Sequence, residues 1–412
     1  MPILKHILDR FRPAQKSSMP VARAFLRGDD EPESGSLPLV NPYQQSAWVY
    51  AAVCAKAAKI AQIPFRLSRA GVRRRGENLV TSGPLYDLFQ RPHPRLDRFA
   101  FWELISTWLD LRGEVFLVAL DADGRVQSLT ARPRAFPVRS LLVLPPDDFQ
   151  EIITDHQLTG WRYQPGGPYS PLPGAALLPE EVIHLKLPNP FQFWRGMSPL
   201  TVAQLAVQTD YASAQFMKGL MLNNADPGLI VTANSCLSEH QMEQIYAALR
   251  ERKRRPGAAD RPLFLPFDVK VDKPALRAAD VQFLENRKFS RQEIGSIFKV
   301  PQTILGYTED ANRSVDEQQS LNWLINVILP LGRRIEAALQ PLLDLAGPEL
   351  SGWFDPDALP EMQAARRARV DTAVKLATLG VPFNDLNREL DLGFPEYAWG
   401  NEQRSQKPEV RS

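Results

Sequence analysis

Between Val281 and Leu343 the chain holds two helical patterns joined by a short polar loop, with a proline inside the second. The first pattern, Val281 to Phe298, places Arg287, Lys288 and Arg291 within about one turn of one another. It stops at Val300-Pro301, because proline disfavours the α conformation of the residue before it. After Ile304-Leu305-Gly306 comes Tyr307-Thr-Glu-Asp-Ala-Asn-Arg-Ser314, too polar and too short to pack a core. The second pattern carries Leu321, Leu324, Ile328, Leu331, Ile335, Leu339 and Leu342, spaced by three or four into an apolar seam. Pro330 lies within the seam and should kink it, since it lacks a backbone donor and crowds the preceding turn. Repeated around an axis, this unit would give a channel wall, a loop into the bore and a bent outer brace.

The run Gln282-Phe-Leu-Glu-Asn-Arg-Lys288, then Glu293-Ile294 and Phe298-Lys-Val-Pro-Gln-Thr-Ile-Leu-Gly306, resembles the portal proteins of tailed bacteriophages, in their siphophage-type branch. The likeness continues upstream. Trp48-Val-Tyr through Ile63-Pro64-Phe65 is similar to that family's first helix and the short strand that follows it. Leu85-Tyr-Asp-Leu-Phe-Gln-Arg-Pro92 with Phe101-Trp-Glu-Leu104 fits as well, and so does Arg112-Gly-Glu-Val-Phe-Leu117. Glu181-Val-Ile-His-Leu185 and Gly196-Met-Ser-Pro-Leu200 complete the order. Each motif alone is unspecific, but six in the family's order, from Asn41 to Leu343, carry weight together.

The resemblance implies an α+β, portal-type ring subunit. Residues 1–40, polar and charge-mixed, read by composition as a mobile arm. Residues 41–197 correspond to a mixed α/β wing, with an alanine-rich helix at 48–63 and strands at 65–69, 114–120, 141–144 and 182–187. A stem helix follows at 198–225, opened by Ser198 as N-cap and Pro199 at the first turn. Val202, Leu205, Ala206, Thr209, Phe216, Met217 and Leu220 are expected on its buried face. Residues 226–276 form a small α/β clip, in which Ser238 and Gln241 have capping-box spacing. The second stem helix is 277–300, the tunnel-loop region 301–314, and the kinked wing helix 315–346. Residues 347–412 make a short helical crown, with helices at 361–379 and 384–390, and a disordered tail.

The same resemblance assigns expected roles. Glu309, Asp310, Asn312 and Arg313 would face the DNA channel from the tunnel loop. Arg287, Lys288 and Arg291 would face it from the stem, or else form an exposed stripe paired with Glu285 or Glu293 of neighbouring copies. Arg252, Lys253, Arg254 and Arg255 read either as a solvated helix end or as a docking patch of the clip. Leu321, Leu324, Ile328, Pro330 and Leu331 would pack against the same or an adjacent subunit. Arg73-Arg-Arg75 reads as a surface turn, and Arg366-Arg-Ala-Arg369 as the wet face of a helix. The implied assembly is a ring, by resemblance twelve-fold, at one capsid vertex and assembled in the host cytoplasm. Its implied partners are double-stranded DNA, the terminase large subunit, the major capsid protein and scaffold, and a head-completion or tail adaptor protein.

Enzyme signatures are missing from the sequence. There is no GxxxxGK[ST], Gly-x-Ser-x-Gly or His-Glu-x-x-His. Cys236 and His240 stand four apart without a second pair, short of the three or four ligands zinc takes. His184, within Val-Ile-His-Leu, reads as a packed histidine. Asp121-Ala-Asp123 and Asp355-Pro-Asp357 lie in turn-like sequence, where Asp is favoured for local backbone hydrogen bonds. No cofactor and no catalysis are expected. The competing reading is a cytosolic nucleic-acid-processing enzyme or accessory subunit with an unrecognised site. A net charge of +2 argues against tight coating of nucleic acid, and for a conduit it would let DNA slide. The two cysteines provide no disulfide framework. No apolar run of membrane-spanning length occurs, and residues 1–40 lack the apolar core of a secretory signal.

Overall fold

A computed structural model describes residues 41–69, 79–131, 135–166, 170–222, 230–233, 238–244, 247, 269–272, 278–307, 313–390, 392, 394 and 397–401. The expected arm, the Arg73–Arg75 turn, the Arg252–Arg255 cluster and the centre of the tunnel loop lie outside these residues. Among the described residues the fold mixes helix and sheet, 55% helical and 16% strand.

The core is organised by one strand and two helices. After a short helix α1 (Pro42–Gln45), α2 (Ala47–Gln62) starts where the Ser46 hydroxyl accepts from the Val49 amide. Val49, Ala52, Val53, Ala57, Ile60 and Ala61 give it a buried face of small and branched side chains. That face lies along α4 (Arg98–Arg112), which follows the short α3 (Pro84–Gln90). Asp97 caps α4 by accepting from Ala100, and Gly113 ends it in the left-handed region, φ 75°. Between the two helices Lys56 and Asp110 form a buried ion pair at 2.5 Å.

Strand β2 (Glu114–Leu120) is buried at all seven positions, which explains the apolar run from Val115 to Leu120. Its neighbours are β3 (Ser140–Leu144) and β7 (Val182–Lys186), both antiparallel to it. Val115, Leu117 and Ala119 face the helical core, while Phe116, Val118 and Leu120 face a second cluster. That second cluster is closed by a sheet absent from the sequence reading: β4 (Phe149–Thr154), β5 (Gln157–Tyr163) and β6 (Ala175–Leu177). Its hairpin turns at Asp155 and His156, both at positive φ, a type of turn usually advertised by Asn-Gly. Strand β1 (Phe65–Ser68) pairs with β10 (Ser351–Phe354), so the two ends of the described core close on each other.

Helix α5 (Pro199–Leu222) begins as expected, with Ser198 Oγ accepting from Leu200 and donating to the Asp110 carbonyl. Its buried face needs correction. Ala203, Ala206, Val207, Asp210 and Ser213 are inside, whereas Val202, Leu205, Thr209 and Phe216 are exposed. The small residues admit the neighbouring helix α6 (Ala278–Ile297), and the large apolar row is turned outward. Between α5 and α6, β8 (Ile230–Ala233) pairs with β9 (Val269–Asp272), and Ser238 exchanges hydrogen bonds with Gln241 as a capping box.

Helix α7 (Arg313–Trp323) passes through a π turn, Leu324–Ile328, into α8 (Leu329–Ala346). The irregularity expected at Pro330 therefore appears one turn earlier. Leu329 donates to Leu324, five residues back, and Pro330 has no donor to restore the ordinary register. Last come α9 (Pro360–Thr378) and α10 (Phe383–Glu389). Of the tail expected to be disordered, residues 394, 397 and 401 bond to α10, and 402–412 lie outside the described residues. Asn384 bonds Tyr397 and Asn401, and Asn387 exchanges two bonds with Phe394.

Candidate functional site

The segment that leads into the expected tunnel loop is built by α6 and the turn after it. Val300 donates to the Gly295 carbonyl as α6 ends, and Tyr307 donates to Gln302. Gly306 has φ +86°, the left-handed region open mainly to glycine. Thr303 donates to Gln319, fastening the turn to α7. At the far end Arg313, the first described residue of α7, is already helical, within the stretch expected as loop. Glu309, Asp310 and Asn312 lie outside the described residues.

Tyr307, the last described residue before the loop, is clamped. The Arg291 guanidinium stacks over its ring at 3.6 Å and stands 5.7 Å from the Trp48 ring, and the two rings meet edge to face. Arg291 is only 7% exposed, so it does not belong with a channel-facing or solvent-facing stripe. Its work is to tie α6 to α2 and to the loop root. The signal for it is the pair of aromatics, Trp48 at the start of α2 and Tyr307 at the root of the loop. Arg287 is half-buried and pairs with Asp210 of α5 at 2.9 Å, while Lys288 is exposed.

The seam of α7 and α8 also moves. Leu324 and Ile328 are fully buried in this chain's own core, and Leu331 packs partly against it. Leu324 and Ile328 thus pack within their own chain, one of the two expected alternatives, and Leu321 is half-buried. Pro330 is exposed, as is Ile325 beside it. Outward-facing apolar groups stand instead on the helix pair α5–α6: Val202 at 58% exposure, Leu205 at 77% and Phe289 at 66%.

A second polar cluster fixes the start of α5. Glu114 lies on β2 beside His184 on β7, with Nε2 to Oε2 at 2.9 Å. The same carboxylate accepts from Arg195 at 2.7 Å and from the Gly196 amide at 2.9 Å. Arg195 also donates to Glu151, Phe149 O and Pro146 O, joining the two sheets. Burial alone would push Glu114 up, but His184, Arg195 and Gly196 together hold it below the usual carboxylate range. Burial lowers His184, assisted by the Lys186 and Arg195 charges, against the pull of Glu114. The imidazole stacks on Phe116 at 4.3 Å, a packed histidine as the sequence suggested. Gly196 is obligatory here, because an added Cβ would stand 2.1 Å from Gly113 O.

The two Asp-x-Asp pairs are turn residues. Asp121 accepts from the amides of Asp123 and Arg125. Asp355 and Asp357 pair with Arg66 and Arg369. Among the described residues, no group of three or more His, Cys, Asp or Glu could hold a metal ion, and no helix is long and apolar enough to cross a membrane.

Comparison with known proteins aligns residues 47–381 with the family described as "Phage portal protein". An uncharacterised protein of Rickettsia bellii (strain RML369-C) is 24% identical over 323 residues, 76% of each chain. A "Probable portal protein" of Streptomyces phage phiC31 is 28% identical over 173 residues, 40% of this chain and 36% of that protein. Among solved structures, the neck of an empty gene transfer agent (GTA) particle, computed with C6 symmetry, superposes with a TM-score of 0.62 at 21% identity, covering 87% of this chain and 93% of that one. The neck of a native GTA particle, computed with C12 symmetry, gives 0.59 at 21% identity, covering 87% and 91%. An HK97-family phage portal protein from Corynebacterium diphtheriae gives 0.52 at 16% identity, covering 77% and 96%.

Proposed function

The chain belongs to the phage portal protein family, and from that premise we propose that its copies close into a ring at one vertex of a phage-like capsid, giving double-stranded DNA its passage. The observation that carries the ring is the outward apolar row on α5 with Phe289 on α6. A chain working alone would gain by burying such groups, at roughly 25 cal/mol for each Å² removed from water. The C6 and C12 symmetries with which the similar neck structures were computed support a cyclic assembly.

In this reading the ring is a conduit and a platform. A terminase motor docks on it and drives DNA in, and the genome leaves by the same route. Capsid and scaffold proteins assemble around it, and an adaptor joins it to the tail. The chemistry is geometric, with individually weak, non-specific phosphate contacts and no catalytic step. Arg313, together with Glu309, Asp310 and Asn312, supplies a mixed-charge collar, and Lys288 with Arg287 lines the stem. The Arg252–Arg255 cluster serves docking.

Negative-stain imaging of the purified protein, viewed down its axis, tests the ring. Closed rings of roughly half a megadalton are expected, given closed cyclic symmetry. A monomer or dimer at micromolar concentration would sink the proposal.

A further inference from the structure

In a closed ring each copy uses two different patches, one meeting the complementary patch of the next copy. We propose that these patches are the Val202–Leu205 row of α5 on one copy and Phe289 of α6 on its neighbour. The inference rests on the ring reading above and adds which residues meet.

The helix pair fixes the two patches at the same level. α5 leads into β8, α6 follows β9, and β8 and β9 pair antiparallel. The end of α5 and the start of α6 therefore lie together, and the two packed helices run in opposite directions. Arg287 meets Asp210 across the pair, which sets Phe289 beside the stretch of α5 between Leu205 and Thr209. Copies in a closed ring are related by rotation without translation. Patches that touch must stand at one height, and these do when the pair lies along the axis.

Direction agrees with height. The inner face of α6 carries Ser290, Arg291, Ile294 and Phe298, and Phe289 points away from it. The inner face of α5 carries Ala203, Ala206, Val207 and Asp210, which leaves Val202 and Leu205 to one side. Val202 and Leu205 thus lie off the inner face of α5 as Phe289 lies off that of α6, and in a head-to-tail contact the first patch of one copy meets the second of the next. Both are apolar and strongly exposed, and each lies on a helix whose other side is already packed.

Charge variants test the pairing by complementation. Leu205→Glu blocks one patch and leaves Phe289 intact, and Phe289→Glu does the reverse. Each alone should be monomeric by gel filtration, with the thermal unfolding curve of the unassembled chain. Mixed in equal amounts they should form a discrete dimer and stop there. A mixture that stays monomeric, or either variant forming rings alone, overturns the pairing. If a variant loses its helical circular dichroism, the Leu205→Cys/Phe289→Cys protein, made in a Cys54→Ala/Cys236→Ala background, replaces it. Oxidation should then give a covalent ladder up to the full ring, absent from either single cysteine variant. Rings without a ladder refute the pairing while the ring reading survives; absence of rings from the unaltered chain refutes the ring itself.

Discussion

Glu114 concentrates more constraint than any other residue in the sheet region. One carboxylate satisfies His184, Arg195 and the Gly196 amide, and so joins β2, β7 and the start of α5. Such a network makes stability depend on acidity. His184 titrates lower in the fold than in the unfolded chain, so protonation favours unfolding once the pH drops past the unfolded value of about 6.5. Glu114 is also lowered, so its contribution is present above its unfolded value of about 4.3 and is lost as pH falls through the folded one. Both signs agree: acid weakens the sheet region around Glu114. His184→Phe keeps a ring against Phe116 and removes the titration. Its melting temperature should be flatter than the parent's between pH 7 and 5, yet still fall below pH 5. Equal slopes in thermal denaturation over the upper range would show that His184 takes no part.

At the scale of the element, the π turn decides how the α7–α8 seam behaves. Leu324 lies inside that turn and is wholly buried in its own chain, while Ile325 next to it is exposed. Leu324→Asp buries an unpaired carboxylate and should cost several kcal/mol, abolishing cooperative unfolding rather than merely preventing rings. Ile325→Asp should shift stability by no more than about 0.5 kcal/mol, as a surface change does. A Leu324→Asp chain that melts like the parent would contradict the core assignment. The spacing of three and four made this seam legible as a buried face, but not against what it packs. The same limit misled the reading of α5, where both large and small apolar residues recur at helical spacing. Only the packed α6 shows that the small ones go inside. Strand β2 was legible because it is an unbroken apolar run after Glu114, whereas β4 and β5 alternate weakly and turn at Asp155-His156. Arg291 was recognised as a cation but not as a clamp, since its aromatic partners lie far away in sequence.

At the scale of the whole molecule, the proposed conduit would pass a polyanion between near-neutral walls. Replacing Arg252, Lys253, Arg254 and Arg255 with Ser should leave rings intact and impair motor-driven packaging; unchanged packaging in vitro would return the cluster to a solvated helix end. Arg313 offers the sharper case. It is the first described residue of α7, and Arg313→Glu tests its place in the channel. Rings should form normally from that variant. If Arg313 borders the bore, the ring loses one phosphate contact per copy and gains a repelling charge in its place. Packaging should slow, or packaged DNA should leak, with a deficit largest at low salt that shrinks as screening grows. Packaging rates across a series of salt concentrations would check this. A mutant that packages and retains DNA normally at low salt would remove Arg313 from the channel, because that is where an electrostatic contact is strongest.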